Sequence, residues 1–398
     1  MKKLLCLALS FVITASFAGC GNDVENKSPE KDNPASEEIS EQNSQPEENT
    51  AISFVAVGDN LIHETVYIDA DKYSGEMNDD KYDFSPMYEE IKEYIRASDL
   101  AFVNQETPIG GQELGVSGYP AFNSPYELAQ NLKDVGFNII NTATNHSLDK
   151  GQAAIDNQTA YLNELGNVVH SGTADSWDRY NYIPVFEIKG VRFSFLSYTT
   201  HTNGITAEND YAVHYLEDDE IIEDVQKAKE MSDVVIVSAH WGEENMANAS
   251  DYQLYYAQFF ADLGVDVVIG THPHVIQPVE WLDGKDGNKT LVAYSLGNFL
   301  GGMLAVDNSL SGILSFDFVK SNDDVTIENV KWIPIVIHFE TNGGDIMEDR
   351  HSYKIYPLSE YTEELASKHA LNGYNGQTVT VDYFKQHTEE VIAEEFLN

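Results

Sequence analysis

Asp59, the pair Asn104 and Glu106, Asn145-His146 with Asp149, His240, and the pair His272 and His274 are the side chains best suited to hold a divalent metal ion. Each follows a short apolar run: Val55-Ala-Val-Gly-Asp59, Ala101-Phe-Val-Asn104-Gln-Glu106, Ile139-Ile-Asn-Thr-Ala-Thr-Asn145-His146, Val234-Val-Ile-Val-Ser-Ala-His240 and Val267-Val-Ile-Gly-Thr-His272-Pro-His274. Imidazole nitrogens with carboxylate and amide oxygens are the donor set of borderline ions such as Mn²⁺, Zn²⁺ or Fe²⁺. Singly, each motif has an ordinary explanation. Gly58-Asp59 is a common turn, Asn145-His146 fits an Asx turn with a solvated ring, and Asn104-Gln-Glu106 or His240-Trp-Gly-Glu243 could cap an element. Repeated after one apolar run after another, they point to one polar site. At Thr271-His272-Pro273-His274 an extended backbone would aim both rings at one centre, and Pro273 removes a competing N–H.

The apolar runs are themselves the elements that must position these residues. Buried parallel strands read as continuous Val/Ile stretches, and in open α/β sheets ligands bind beyond the carboxyl ends of the strands. Helical spacing separates them at residues 86–97, 151–165, 219–231 and 251–263. A further helix is signalled by Ser124 as N-cap, Pro125 at the first position, Leu128, Leu132 and Val135 on one face and Gly136 as stop. Lys189-Gly190 between two β-rich runs reads as a hairpin, and residues 312–320 and 325–332 read as antiparallel strands. The pattern predicts an α/β fold, two mixed β-sheets flanked by helices in a four-layer sandwich, over residues 51–340. Residues 341–398, with helical spacing at 360–370 and 381–397, are expected to form a C-terminal helical extension packed on it.

The N-terminus reads as an export signal: Lys2 and Lys3 precede an apolar run over residues 4–17 that is too short and too early for an ordinary spanning helix. Phe17-Ala-Gly-Cys20 resembles the lipobox of bacterial lipoproteins, in which cleavage leaves the Cys acylated. Residues 1–19 are then a signal peptide and Cys20 the lipidated N-terminus, with enough acyl chain for stable anchoring at the extracytoplasmic face of the cell membrane. The other cysteine, Cys6, falls in the removed segment, so no disulfide is expected. Residues 20–50, polar and carrying nine acids against Lys27 and Lys31, read as a disordered, self-repelling linker. Without that linker and the signal's two lysines, about −38 of the chain's −43 remains. Such a charge excludes nucleic acid as a partner, and an anionic substrate would need a local cation.

The ordered set Phe54-x-x-x-Gly-Asp59, Asp99-Leu-Ala-Phe-Val-Asn104-x-Glu106, Thr144-Asn-His146-x-x-Asp149-x-Gly151, His240-Trp-Gly-x-Glu244, Gly264-Val-Asp-x-Val-Ile-Gly-Thr-His272-Pro-His274-Val-x-Gln277 and Tyr294-Ser-Leu-Gly-Asn298-Phe299 resembles the CapA family of capsule and poly-γ-glutamate synthesis proteins. That family is similar in fold to calcineurin-like metallophosphoesterases, which implies a two-metal site at the strand ends. The resemblance implies Asp59, Glu106, Asn145, His240, His272 and His274 as metal ligands for one or two ions, Mn, Zn or Fe. It implies His146, oriented by Asp149, as the acid that protonates a leaving oxygen. His63, Asn104, Glu243 and Asn298 are expected to contact substrate or support the ligands. The chain departs from the phosphoesterase pattern at Leu61, where a His is usual, and has Glu106 or Asn104 in place of the bridging Asp. The implied activity is divalent-metal-dependent phosphoester hydrolysis. Two alternatives stand beside it: a centre that holds metal or an anionic polymer without turnover, as partner of a membrane capsule synthase, and a solute-binding lipoprotein, whose layout is similar but lacks clustered His.

Overall fold

The apolar runs fold into two β-sheets in the computed structural model, which describes residues 50–322 and 324–397; Cys20 and the signal lie outside them, as does the linker up to residue 49. In chain order the first strands are β1 (Thr50–Asn60), β2 (Leu100–Gln105), β3 (Ile139–Asn141), β4 (Val169–Ser171), β5 (Val185–Ile188) and β6 (Val191–Thr199). They are followed by β7 (Val234–His240), β8 (Val267–Thr271), β9 (Val279–Asp283), β10 (Lys289–Ala293) and β11 (Asn298–Leu300). The last are β12 (Leu310–Ser321), β13 (Asp324–Thr341) and β14 (Arg350–Pro357). The eight-stranded sheet runs β14-β13-β12-β1-β2-β3-β4, with β11 beside the end of β1; the six-stranded sheet runs β5-β6-β7-β8-β10-β9. Parallel pairing joins β1 to β4 and β6 through β8 to β10, and antiparallel strands flank both sets. The expected fold class, two mixed sheets flanked by helices, is the one observed.

The central parallel strands are apolar on both faces because both are covered. β7 is buried along its whole length, as are β2 and β8. Across the interior Phe102 of β2 meets Phe195 of β6 edge-on at 5.9 Å, and Phe318 of β12 meets Phe193 at 5.0 Å. Each such side chain contributes about 1.5–3 kcal/mol through burial alone, which presses the two sheets together and brings their strand ends to one place. The helix Gly151–Leu165 falls where its spacing predicts, as does Asp251–Leu263 with a Ser250–Gln253 capping box. The β5–β6 hairpin turns at Lys189 and Gly190, with φ of 49° and 78°, the conformation of a type I′ turn.

Local details differ from expectation. The single helix expected over 86–97 is two, Ser85–Tyr88 and Lys92–Arg96, parted where Ile91 leaves helical geometry. Pro125, not Ser124, is the N-cap of Tyr126–Val135, because the Ser124 hydroxyl is bonded to Thr107 Oγ1 at 2.8 Å inside the loop. The segment after residue 340 does not begin with a helix: β14 completes the larger sheet beside β13, and the helices Glu363–Lys368 and Val381–Val391 follow it, burying Leu371 and Phe384 in the core. Among the described residues no helix is long and apolar enough to cross a membrane.

Asp266, ahead of β8, accepts the Val235 amide at 2.8 Å and ties the start of β7 to β8. Burial raises its pKa to about 6, with the Val235 hydrogen bond and Lys229 opposing. A raised carboxyl pKa means that the folded state binds the proton more tightly than the unfolded chain, so this contribution is present at low pH and is lost as pH rises from about 4 through 6. Asp266→Asn keeps the acceptor and removes the titration. It is expected to match the parent near pH 4 and to exceed it at pH 7 by on the order of 1–2 kcal/mol, read by denaturant melts at both values.

Candidate metal centre

The carboxyl ends of strands from both sheets converge on one buried cluster. Asp59 lies one residue before the end of β1, Asn104 lies in β2 with Glu106 just beyond it, and Asn145 and His146 follow β3 in the larger sheet; His240 ends β7, and His272 and His274 follow β8 in the smaller. Close backbone approach makes this possible. A Cβ on Gly58 would lie 1.8 Å from Gly297 O, and one on Gly270 2.1 Å from Tyr294 O, so only glycine lets these strands approach their neighbours. The Thr144 hydroxyl donates to Glu106 O at 2.8 Å and receives the His146 N–H at 3.1 Å, locking the loop after β3 to the loop after β2. The His-x-His segment is not extended as expected: His272 and His274 have φ of 98° and 60°. A non-glycine residue in this region costs on the order of 1–3 kcal/mol, and here the turned backbone brings both rings to Glu106.

Glu106, His272 and His274 offer ligand atoms all within 4.8 Å of one another. Both Glu106 carboxylate oxygens are buried without a hydrogen-bond partner among the described residues, and so is His272 Nδ1. Buried polar atoms are rarely left so, and together these form the donor set that a divalent ion would satisfy. His274 Nε2 lies 3.6 Å from Glu106 Oε1 and His240 Nε2 3.9 Å from it. His274 Nδ1 faces two oxygens at 3.0 Å, Asp59 Oδ2 and Asn298 Oδ1, so it donates and leaves Nε2 as the ligand nitrogen. His240 Nδ1 faces the Thr271 hydroxyl at 3.0 Å, and Nε2 is 2.9 Å from Asn145 Oδ1.

Asp59 occupies a supporting position. Its Oδ1 accepts from Asn104 Nδ2 at 2.7 Å, and both of its oxygens accept the His272 N–H at 3.2 Å. Asn104 is in turn held by Asn141 Nδ2 at 2.6 Å, so of the two candidates for the bridging position it is Glu106 that faces the histidines with free oxygens. Leu61 is core, 3% exposed. His63 does not replace the missing ligand: its Nδ1 receives the Gly302 N–H at 3.0 Å, and its ring meets Phe122 edge-on at 5.4 Å.

Burial pushes the Glu106 carboxyl well above its ordinary range, the charges of Asp59, Glu244 and Asp149 adding to this and His274 opposing it. Burial also lowers His240 and His272, each further disfavoured by neighbouring imidazoles. Burial alone would lower His274 too, but Glu106 and Asp59 outweigh it and raise its pKa to about 10.

Beside the cluster His146 Nδ1 pairs with Asp149 Oδ2 at 2.8 Å, and the same carboxylate oxygen accepts the Phe122 N–H at 2.8 Å. Glu243 and Glu244 are both exposed, and it is the charge of Glu244 that acts on Glu106, His274 and His201. His201 was not among the residues expected here. Its ring lies 5.7 Å from that of His272, and Asn203 in the same loop reaches Asn145 at 3.3 Å and His146 at 3.4 Å. The signal was present: the run 193–199 of β6 also ends in polar residues, Thr200 and His201. Arg350, from β14, is 5% exposed and donates through Nη1 to Gly302 O behind His63.

Residues 53–303 match the family described as "Bacterial capsule synthesis protein PGA_cap". The chain is 30% identical over 223 residues to the PGA biosynthesis protein CapA of Bacillus subtilis (strain 168), covering 54% of this chain and 56% of that one. It is 24% identical over 265 residues to the capsule biosynthesis protein CapA of Bacillus anthracis, covering 64% and 60%. It thus spans little more than half the length of these relatives. Among solved structures, the calcineurin-like phosphoesterase YfkN from Bacillus subtilis is similar over 86% of this chain and 97% of its own, with 14% identity and a TM-score of 0.42.

An unsatisfied buried carboxyl costs stability of about 1–3 kcal/mol. Glu106→Leu is therefore expected to raise the melting temperature of the metal-free protein while abolishing the rise that Mn²⁺ produces in the parent, as thermal melts with and without the ion would show.

Proposed function

The chain belongs to the bacterial capsule synthesis protein PGA_cap family, and from that premise we propose that it is a lipid-anchored, extracytoplasmic protein of capsule polymer synthesis whose metal centre hydrolyses a phosphoester. The observation that carries the catalytic reading is Glu106, whose two buried, unpartnered oxygens face His272 and His274 beside the His146–Asp149 pair. A divalent ion, Mn²⁺, Zn²⁺ or Fe²⁺, supplies Lewis acidity there when bound and a water activated near neutral pH. Glu106, His272 and His274 would hold it, with His240 and Asn145 beside them and Asp59 keeping the His272–His274 segment in place. His146 Nδ1 is engaged by Asp149, which leaves Nε2 to give a proton to the departing oxygen. Asp149, itself held by the Phe122 amide, fixes the ring's orientation, and the Phe122 ring packs edge-on against it at 4.7 Å, shielding that side from water.

A second reading keeps the same ligands without turnover: the centre binds metal or an anionic polymer, and the protein assists a membrane synthase. The relatives' names favour it, since they describe biosynthesis and not hydrolysis. The anchor is supported by the lipobox-like sequence ending at Cys20.

With Mn²⁺ and bis(4-nitrophenyl) phosphate, His146→Ala is expected to lower kcat by roughly 10²–10⁴-fold at unchanged metal content, with Asp149→Asn intermediate. Parent and variant equally inert, both carrying stoichiometric metal, would leave the second reading. Separately, Cys20→Ser is expected to move the protein from the membrane fraction to the soluble fraction after cell lysis, and membrane retention of the variant would overturn the lipid anchor.

A further inference from the structure

A cavity of about 670 Å³ lies beside the metal centre, within the roughly 300–1,000 Å³ range of small-molecule sites. The two share the loop after β6. His201 lines the cavity and also meets His272, while Asn203 of that loop reaches Asn145 and His146. The facing wall is Trp177, whose ring is 5.5 Å from Tyr180 and 5.6 Å from Tyr211 and which is 53% exposed. An indole braced by two tyrosines yet half open to solvent is a preformed apolar plate. The rest of the lining mixes Ile205 and Ala207 with polar groups, and His201 apart its charged side chains are of one sign. Tyr215, bonded to Thr202 Oγ1 at 3.1 Å, supplies a hydroxyl; Asp210 and Glu217 supply carboxylates, while Glu220 Oε1 is engaged by the Tyr180 hydroxyl at 2.6 Å and His214 Nδ1 at 2.7 Å; the lining contains neither Lys nor Arg.

That combination selects a chemistry. The carboxylates of Asp210 and Glu217 repel phosphate groups and the side chains of an anionic polymer, whereas they accept hydrogen bonds from hydroxyl groups. The C–H face of a sugar ring stacks on an indole. We propose that this cavity is a glycosyl subsite, which receives a neutral sugar ring joined to the group bound at the metal centre. As a part of the substrate site it rests on the hydrolase reading, although sugar binding by itself does not require turnover.

The test uses the full chain. Of its four tryptophans Trp241 and Trp332 are buried and Trp281 partly so, leaving Trp177 to report by intrinsic fluorescence. Titration with maltotriose is expected to give a saturable change that Trp177→Leu abolishes. In turnover, the same variant is expected to raise KM about tenfold for glucose 1-(4-nitrophenyl) phosphate and to leave bis(4-nitrophenyl) phosphate unaffected. No response to the saccharide, a response that survives in Trp177→Leu, or a response to tetramethylammonium alone would each overturn the subsite. Saccharide binding lost in Trp177→Leu, with neither diester hydrolysed by the parent, would uphold the subsite while the hydrolase reading fails.

Discussion

The carboxylate of Asp59 is the joint on which the rest of the site depends, because it is bonded to both sheets at once. It accepts from Asn104 in the larger sheet and from the His272 N–H and the His274 ring beyond the smaller one. Packing of Phe102 on Phe195 brings the sheets together but does not set their register to a fraction of an ångström. Directional hydrogen bonds to one buried acid do. With the His-x-His segment so held, His272 and His274 keep the positive φ that turns their rings toward Glu106.

The centre is assembled at a cost to the fold. Two turned histidine backbones and a buried carboxyl with no hydrogen bond among the described residues each oppose stability, and the large aromatic and aliphatic interior offsets them. Such groups persist where the surrounding structure over-determines them, and the chains Asn141–Asn104–Asp59 and Phe122–Asp149–His146 are that surrounding structure. The acidity of the chain fits the same picture. In a protein of net charge −43, the imidazoles of His240, His272 and His274 gather at one place, while acidic side chains line the cavity beside them.

Much of this was legible in residue order. The strand ends were marked by apolar runs stopping at Asp59, Glu106, Asn145, His240 and His272, and the helices Gly151–Leu165 and Asp251–Leu263 by spacing and caps. His201 was passed over because its loop carries no His-x-His or Asn-His pair to single it out, although its strand ends as the others do. Glu243 and Glu244 are adjacent and chemically identical, so only the path of the loop could tell which charge acts on Glu106. β14 was hidden in a polar segment whose burial comes from its neighbour β13 and not from its own pattern.

The sequence by itself determined the fold class, the family likeness and the inventory of ligand-type side chains, since these follow from local periodicity and residue chemistry. Only the tertiary structure decided their division of labour. Asp59, by type a metal ligand, has both oxygens engaged in hydrogen bonds, and Glu106, by type an equal candidate, has both free. The same holds for Arg350, which reaches Gly302 behind His63 from a strand far along the chain. Which atoms of a carboxylate remain unpaired depends on what long-range packing places against them, and one-dimensional spacing does not carry that information.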